Sequence, residues 1–142
     1  MNSKYEKELM ASIWSPEIKD SPLKFVNFIF EWDKPGTPLH TFKGPRAWQK
    51  KILLDLERAI ARNQGDITPE MFRQAVASGR GIGKSALVAW LILWMLSTRL
   101  GSTTIVTANT EQQLRSRTWA ELGKWLTPVS YTHLRAHETY DH

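Results

Sequence analysis

The stretch Ser78-Gly79-Arg80-Gly81-Ile82-Gly83-Lys84-Ser85 constrains this chain more than any other. Glycines alternate at 79, 81 and 83, so the backbone can turn tightly and aim successive N–H groups at one point. A lysine and a hydroxyl follow at once, and an apolar run then covers residues 86–96. Backbone amides at a helix start, with a cation and a hydroxyl beside them, form a cradle for phosphate oxygens. In such a cradle Lys84 reaches the outer phosphates and Ser85 ligates Mg²⁺.

The pattern G-x-x-x-x-G-K-S/T is matched except at its first position, where Ser78 replaces glycine. That pattern requires a strand before it and a helix after it. Residues 72–77 read as a first core strand and residues 84–98 as the helix. Without those flanks the same string is a Gly-rich turn with a surface lysine. Arg80 lies inside the loop, four residues before Lys84. It is either a solvated loop arginine or a cis-acting cation that stabilises charge during phosphoryl transfer.

With 142 residues, 42% of them hydrophobic, the chain can bury the core of one small domain and is not disordered by composition. A net charge of +5 suits a polyanionic partner without demanding one. The absence of cysteine excludes disulfides and thiolate metal sites. The first six residues lack the apolar core of a signal peptide, and the run at 86–96 is shorter than the ~20 residues that span a bilayer. These features predict a soluble intracellular protein with no membrane partner.

Taken in order, residues 4–14 place Tyr5, Leu9, Met10 and Ile13 at amphipathic-helix spacing. Pro16 and Pro22 break regular structure, and Ser21-Pro22 starts a short helix through Ile29. A turn-rich linker follows at 31–38. Residues 1–43 thus form an aromatic arm that packs on a domain, and 44–127 the first part of that domain. Gly44-Pro45-Arg46 opens a helix with Trp48, Ile52, Leu56 and Ala59 on one face. The helix at 84–98 is apolar on nearly all sides, which predicts burial between layers. Residues 103–108 are β-branched and apolar and read as a second strand, parallel to the first. Thr110 and Glu111 cap a last helix whose buried stripe is Leu114, Thr118, Leu122 and Trp125. Its Arg115, Arg117 and Lys124 form a solvated basic face or a contact to a nucleic-acid backbone.

From Val129 the character changes. Residues 129–139 lack an amphipathic pattern, and the tail gathers His133, His137 and His142. This string resembles the conceptual translation of a sequencing-library adapter. Residues 128–142 are therefore read as an artefactual tail, and its histidines are not read as a metal site.

Four blocks, in this order, resemble the start of the large terminase subunit of tailed bacteriophages. They are 25–32, 44–49, 78–85 and 106–113, and the likeness runs from about Ser21 to Trp125. The resemblance implies an α/β fold: an incomplete P-loop NTPase, of helicase or terminase type, with a mostly parallel sheet. It implies an ATP-driven DNA-packaging motor, joined in the whole protein to a nuclease, with ATP and Mg²⁺ as cofactors. The implied partners are double-stranded viral DNA, the portal protein, the small terminase subunit and further copies in a ring. The implied place is the host bacterial cytoplasm, transiently at the procapsid portal.

Carried over by position, Ser78, Gly79, Gly81, Ile82, Gly83, Lys84 and Ser85 hold the phosphates and the metal. Arg80 matches the arginine common in this family's deviant loop and, with Lys84, takes the catalytic role. Gln49 matches the glutamine that reads adenine, with Trp48 as its stacking or core-packing neighbour. Residues 107–113 resemble the segment that faces DNA or couples it to ATP. The family's apolar strand ending in Asp-Glu, its coupling motif and its nuclease are absent from this chain. The chain alone is therefore expected to be inactive as an ATPase and nuclease, and poorly soluble. Two other readings stay open: a fragment of another helicase-like translocase, and a short non-catalytic nucleotide- or DNA-binding module.

Overall fold

A helix with no charged residue after its first position must be covered on most of its surface, and helix α5 (Lys84–Thr98) is such a helix. In the computed structural model, which describes residues 3–36, 39–64, 71–77 and 83–126, α5 is the central element. Ala86, Leu87, Ala89, Trp90, Ile92, Leu93 and Trp94 are all buried along it. Around it stand α1 (Ser3–Ile13), α2 (Pro16–Lys19), α3 (Pro22–Ile29) and α4 (Ala47–Asn63). A last helix runs from α6 (Glu111–Gln113) through a π-helical segment (Leu114–Trp119) into α7 (Ala120–Leu126).

Local signals explain where these helices begin. Pro16 and Pro22 stand in the first helical turns of α2 and α3, where the missing N–H costs nothing. Pro16 therefore opens a short helix rather than breaking regular structure as expected. The Ser21 hydroxyl accepts the Lys24 N–H at 3.2 Å, and the Thr110 hydroxyl accepts the Gln113 N–H at 3.1 Å. Each satisfies an amide that the helix itself leaves unpaired.

One core joins the arm to the rest. Leu9, Ile13, Phe25, Val26, Ile29 and Phe30 are buried together with Ile52, Leu53, Leu122, Trp125 and the inner residues of α5. At its centre Phe30, Trp32, Trp90 and Trp125 are in mutual contact, with Phe30–Trp125 centroids 4.8 Å apart and Trp90–Trp125 5.1 Å apart. Several of these pairs meet edge to face, an arrangement that adds about 0.5–1.5 kcal/mol per pair beyond burial. The Trp32 indole N–H donates to the Val26 carbonyl at 3.1 Å, and that of Trp125 to Glu121 Oε1 at 2.9 Å. The buried Trp90 N–H has no acceptor among the described residues.

The far end of α5 is fastened by polar contacts. The Trp94 indole donates to the Lys19 carbonyl at 3.0 Å and the Trp14 indole to the Ser97 carbonyl at 2.9 Å. Asp20 accepts from Arg99 Nη2 and from Gln64 Nε2, both at 3.0 Å. The Arg99 guanidinium also lies over the Trp94 ring, 4.9 Å from its centroid.

The expected α/β fold with a mostly parallel sheet is not what the chain forms. Among the described residues there is no strand and no sheet; every regular element is helical. The segments expected as strands, 72–77 and 103–108, carry no regular structure. Ile105 is 81% exposed and Val76 38%, so neither segment buries the face that a parallel strand must bury. A strand exists only through a ladder with a neighbour, and these two segments do not pair with each other. Helix, whose hydrogen bonds are internal, needs no such partner.

Candidate functional site

The site proposed from sequence centres on the N-terminus of α5. Its residues Ser78, Gly79, Arg80, Gly81 and Ile82 lie outside the described residues, and nothing is stated of their placement. Gly83, Lys84, Ser85 and Gln49 are described.

Gly83 is the N-cap of α5 and takes the left-handed conformation, φ 95° and ψ 21°. Only glycine adopts that backbone without cost. Its carbonyl already accepts the first helical bond, from the Leu87 N–H at 3.1 Å. Lys84 and Ser85 follow on the first turn, both exposed. Gly83 has no side chain to cap the helix, and no acidic residue stands in the first turn. The partial positive charge of this helix end is therefore not neutralised from within the helix.

Gln49 occupies the third helical position of α4 and is only 3% exposed. Its Oε1 accepts the Arg46 N–H at 2.8 Å, which satisfies the amide that opens α4. Its Nε2 donates to the Gly83 carbonyl at 2.9 Å. The donor on one side and the acceptor on the other fix which end of the amide is which. A Cβ built on Gly83 would fall 2.5 Å from Gln49 Nε2 and 3.9 Å from Trp48 Cζ2. The loop glycine and the start of α4 are thus in direct contact, across 34 residues of chain.

Gln49 and Gly83 are brought together, and Lys84 and Ser85 stand beside them in the chain. The signal for the Gln49–Arg46 contact is the capping box, in which a helix's third residue reaches back to the cap. It is hidden in the sequence because Arg46, not Ser or Thr, stands at the cap. Trp48 packs partly buried against the core.

At the other proposed contact region, Thr107, Ala108 and Asn109 are exposed. Arg115 pairs with Glu111 at 2.6 Å, and Arg117 and Lys124 face solvent. A shallow depression here is lined by Glu111, Gln112, Arg115 and Ser116.

For a metal, the described part of the site offers one oxygen donor, the Ser85 hydroxyl. Among the described residues no group of three or more His, Asp or Glu side chains converges. Mg²⁺ prefers an octahedron of oxygens and is commonly held by one or two protein oxygens together with phosphates and water. One exposed hydroxyl fits an ion that arrives with a nucleotide's phosphates, and not an ion held by the protein alone. Among the described residues no helix is long and apolar enough to cross a membrane. Comparison with known protein families, with characterised proteins and with solved structures finds no match to this chain.

Proposed function

We propose that this chain binds the triphosphate of ATP at the start of α5, as the nucleotide-binding part of a DNA-packaging motor of the terminase large-subunit kind. The observation that carries the reading is the junction at Gly83, where the helix that the pattern requires is formed, although the strand it also requires is not formed at residues 72–77. A left-handed glycine opens a long apolar helix, and the next two residues are an exposed lysine and an exposed serine. An anion there meets the amides of a helix start, the dipole's positive end and the Lys84 ammonium. When bound, Mg²⁺ neutralises phosphate charge, and Ser85 is the residue that would touch it. Arg80, inside the same glycine-rich stretch, is the second cation proposed to face the phosphates.

The wider assignment rests on the order of the four sequence blocks. Viral DNA, portal, small subunit and ring partners, and the host cytoplasm as the place of action, are proposed with it. The net charge of +5 supports a polyanionic partner.

Calorimetric titration of the 142-residue chain with Mg-ATP tests the reading. Lys84→Ala should weaken binding about 10- to 100-fold, the value of a charge-assisted hydrogen bond, while the far-UV circular dichroism stays unchanged. Equal affinity in the variant, or no binding by the wild type, removes it. The strand ending in Asp-Glu that the resemblance calls for is absent from this sequence, so bound ATP is expected not to turn over.

A further inference from the structure

We infer that residues 103–107 are a self-pairing strand: two copies of this chain join there, antiparallel, about a two-fold axis at Ile105. The nucleotide reading above is not needed for this, and its failure would leave the pairing untouched.

The backbone of residues 103–108 is open. Among the described residues no hydrogen bond engages it. Thr103, Thr104, Ile105, Thr107 and Ala108 are exposed, Ile105 to 81%. The segment is nevertheless held in place. Before it, the Ser102 N–H donates to the Arg99 carbonyl at 3.1 Å. Within it, the half-buried Val106 packs against the core, and after it Thr110 caps the last helix. Thr, Ile and Val are the residue types that favour a pleated ladder. Open N–H and C=O groups along such a stretch are a template for a further strand.

The order of residues selects the partner. Thr103-Thr104-Ile105-Val106-Thr107 reads nearly the same from either end. In an antiparallel pair centred on Ile105, Thr103 of one copy faces Thr107 of the other, Thr104 faces Val106, and Ile105 faces its own counterpart. Facing β-branched pairs and Thr–Thr pairs stabilise a sheet. No charge lies within residues 102–108. The nearest charges on either side, Arg99 and Glu111, are opposite in sign and equally far from Ile105 along the chain. Antiparallel order therefore sets the arginine end of one copy against the glutamate end of the other. Parallel order would set like ends together. The other open segment, residues 72–77, carries Arg73 and has no such internal symmetry. A two-fold pairing uses the same surface on both copies and closes at two. A single two-stranded ribbon is marginal by itself, so the dimer should be weak, half formed at about 0.1–1 mM.

The chain has no cysteine, so an introduced one reports its own neighbour. The test oxidises single-cysteine variants of the full chain near the dimer midpoint and follows the cross-linked product. Ile105→Cys should cross-link with itself, because facing Cβ atoms lie about 5 Å apart. Thr103→Cys and Thr107→Cys should cross-link about tenfold faster when mixed than either does alone, because each faces the other. Self-linking of both threonine variants with no gain on mixing is the pattern of parallel pairing and overturns the inference. Faster linking of Ile105→Cys to Val76→Cys than to itself moves the contact to residues 72–77 and also overturns it. In sedimentation the wild type should pass from monomer to dimer and stop; no dimer at about 1 mM, or growth past two, overturns it. Ile105→Lys sets two ammonium groups face to face and should weaken the dimer at least about tenfold. Undiminished assembly of that variant overturns the inference. All these side chains are exposed, so each variant should keep the wild-type circular dichroism, and the wild-type sedimentation needs no variant.

Discussion

At the scale of single residues, Gly83 carries two constraints at once. Its backbone lies in the left-handed region, and its missing side chain leaves room for Gln49 Nε2. Gly83→Ala should therefore cost about 1–3 kcal/mol, part from backbone strain and part from displacing the amide. Urea midpoints give the value. In a Gln49→Ala background the same substitution should cost less, because the steric part is gone; equal costs in both backgrounds would show that the contact is not felt. Of this pair the glycine was legible in the sequence, since G-K-S announces a turn into a helix. The environment of Gln49 was not: its side chain is buried between two backbone groups. Its partner lies 34 residues away, and no local pattern encodes that distance.

At the scale of elements, most helices were legible, the short α2 at Pro16 was not, and the expected strands were not formed. The spacing of Leu9 and Ile13 places α1, Ser21-Pro22 places α3, and Thr110 places the last helix. Each is a signal contained within one or two turns, and a helix closes its own hydrogen bonds. Residues 72–77 and 103–108 have the composition of strands, but a strand's hydrogen bonds belong to its neighbour. Residues 102–108 carry no charge, proline or glycine and are rich in Thr, Ile and Val, the makings of intermolecular pairing. With Ile105 81% exposed, the chain should self-associate through this segment as concentration rises. Ile105→Lys should shift sedimentation toward the monomer without changing helix content. An unchanged distribution would place self-association elsewhere, for example on the open stripe of α5, where Val88 and Leu96 are exposed.

At the scale of the whole molecule, the aromatic cluster decides how the helices meet. Trp125 brings the last helix onto Trp90 of α5 and onto Phe30 and Trp32 after α3. Trp125→Ala should cost about 3–5 kcal/mol, because a large buried ring is lost from a site walled by other rings. Chemical unfolding followed by circular dichroism measures it, and a cost below about 1 kcal/mol would mean that the last helix does not depend on this cluster. Asp20 plays the matching polar part at the other end of α5, joining the arm to Gln64 and Arg99.

The sequence by itself determined where most of the helices start, that α5 must be central, and that a glycine turn leads into it at Gly83, because caps, apolar spacing and glycine's backbone freedom act within a few residues. Only the tertiary structure decided that no sheet forms among the described residues, that the N-terminal arm shares the core, and that Gln49 faces the Gly83 carbonyl. Those outcomes depend on which surfaces find partners across long stretches of chain, and partnership at that distance is a property of packing.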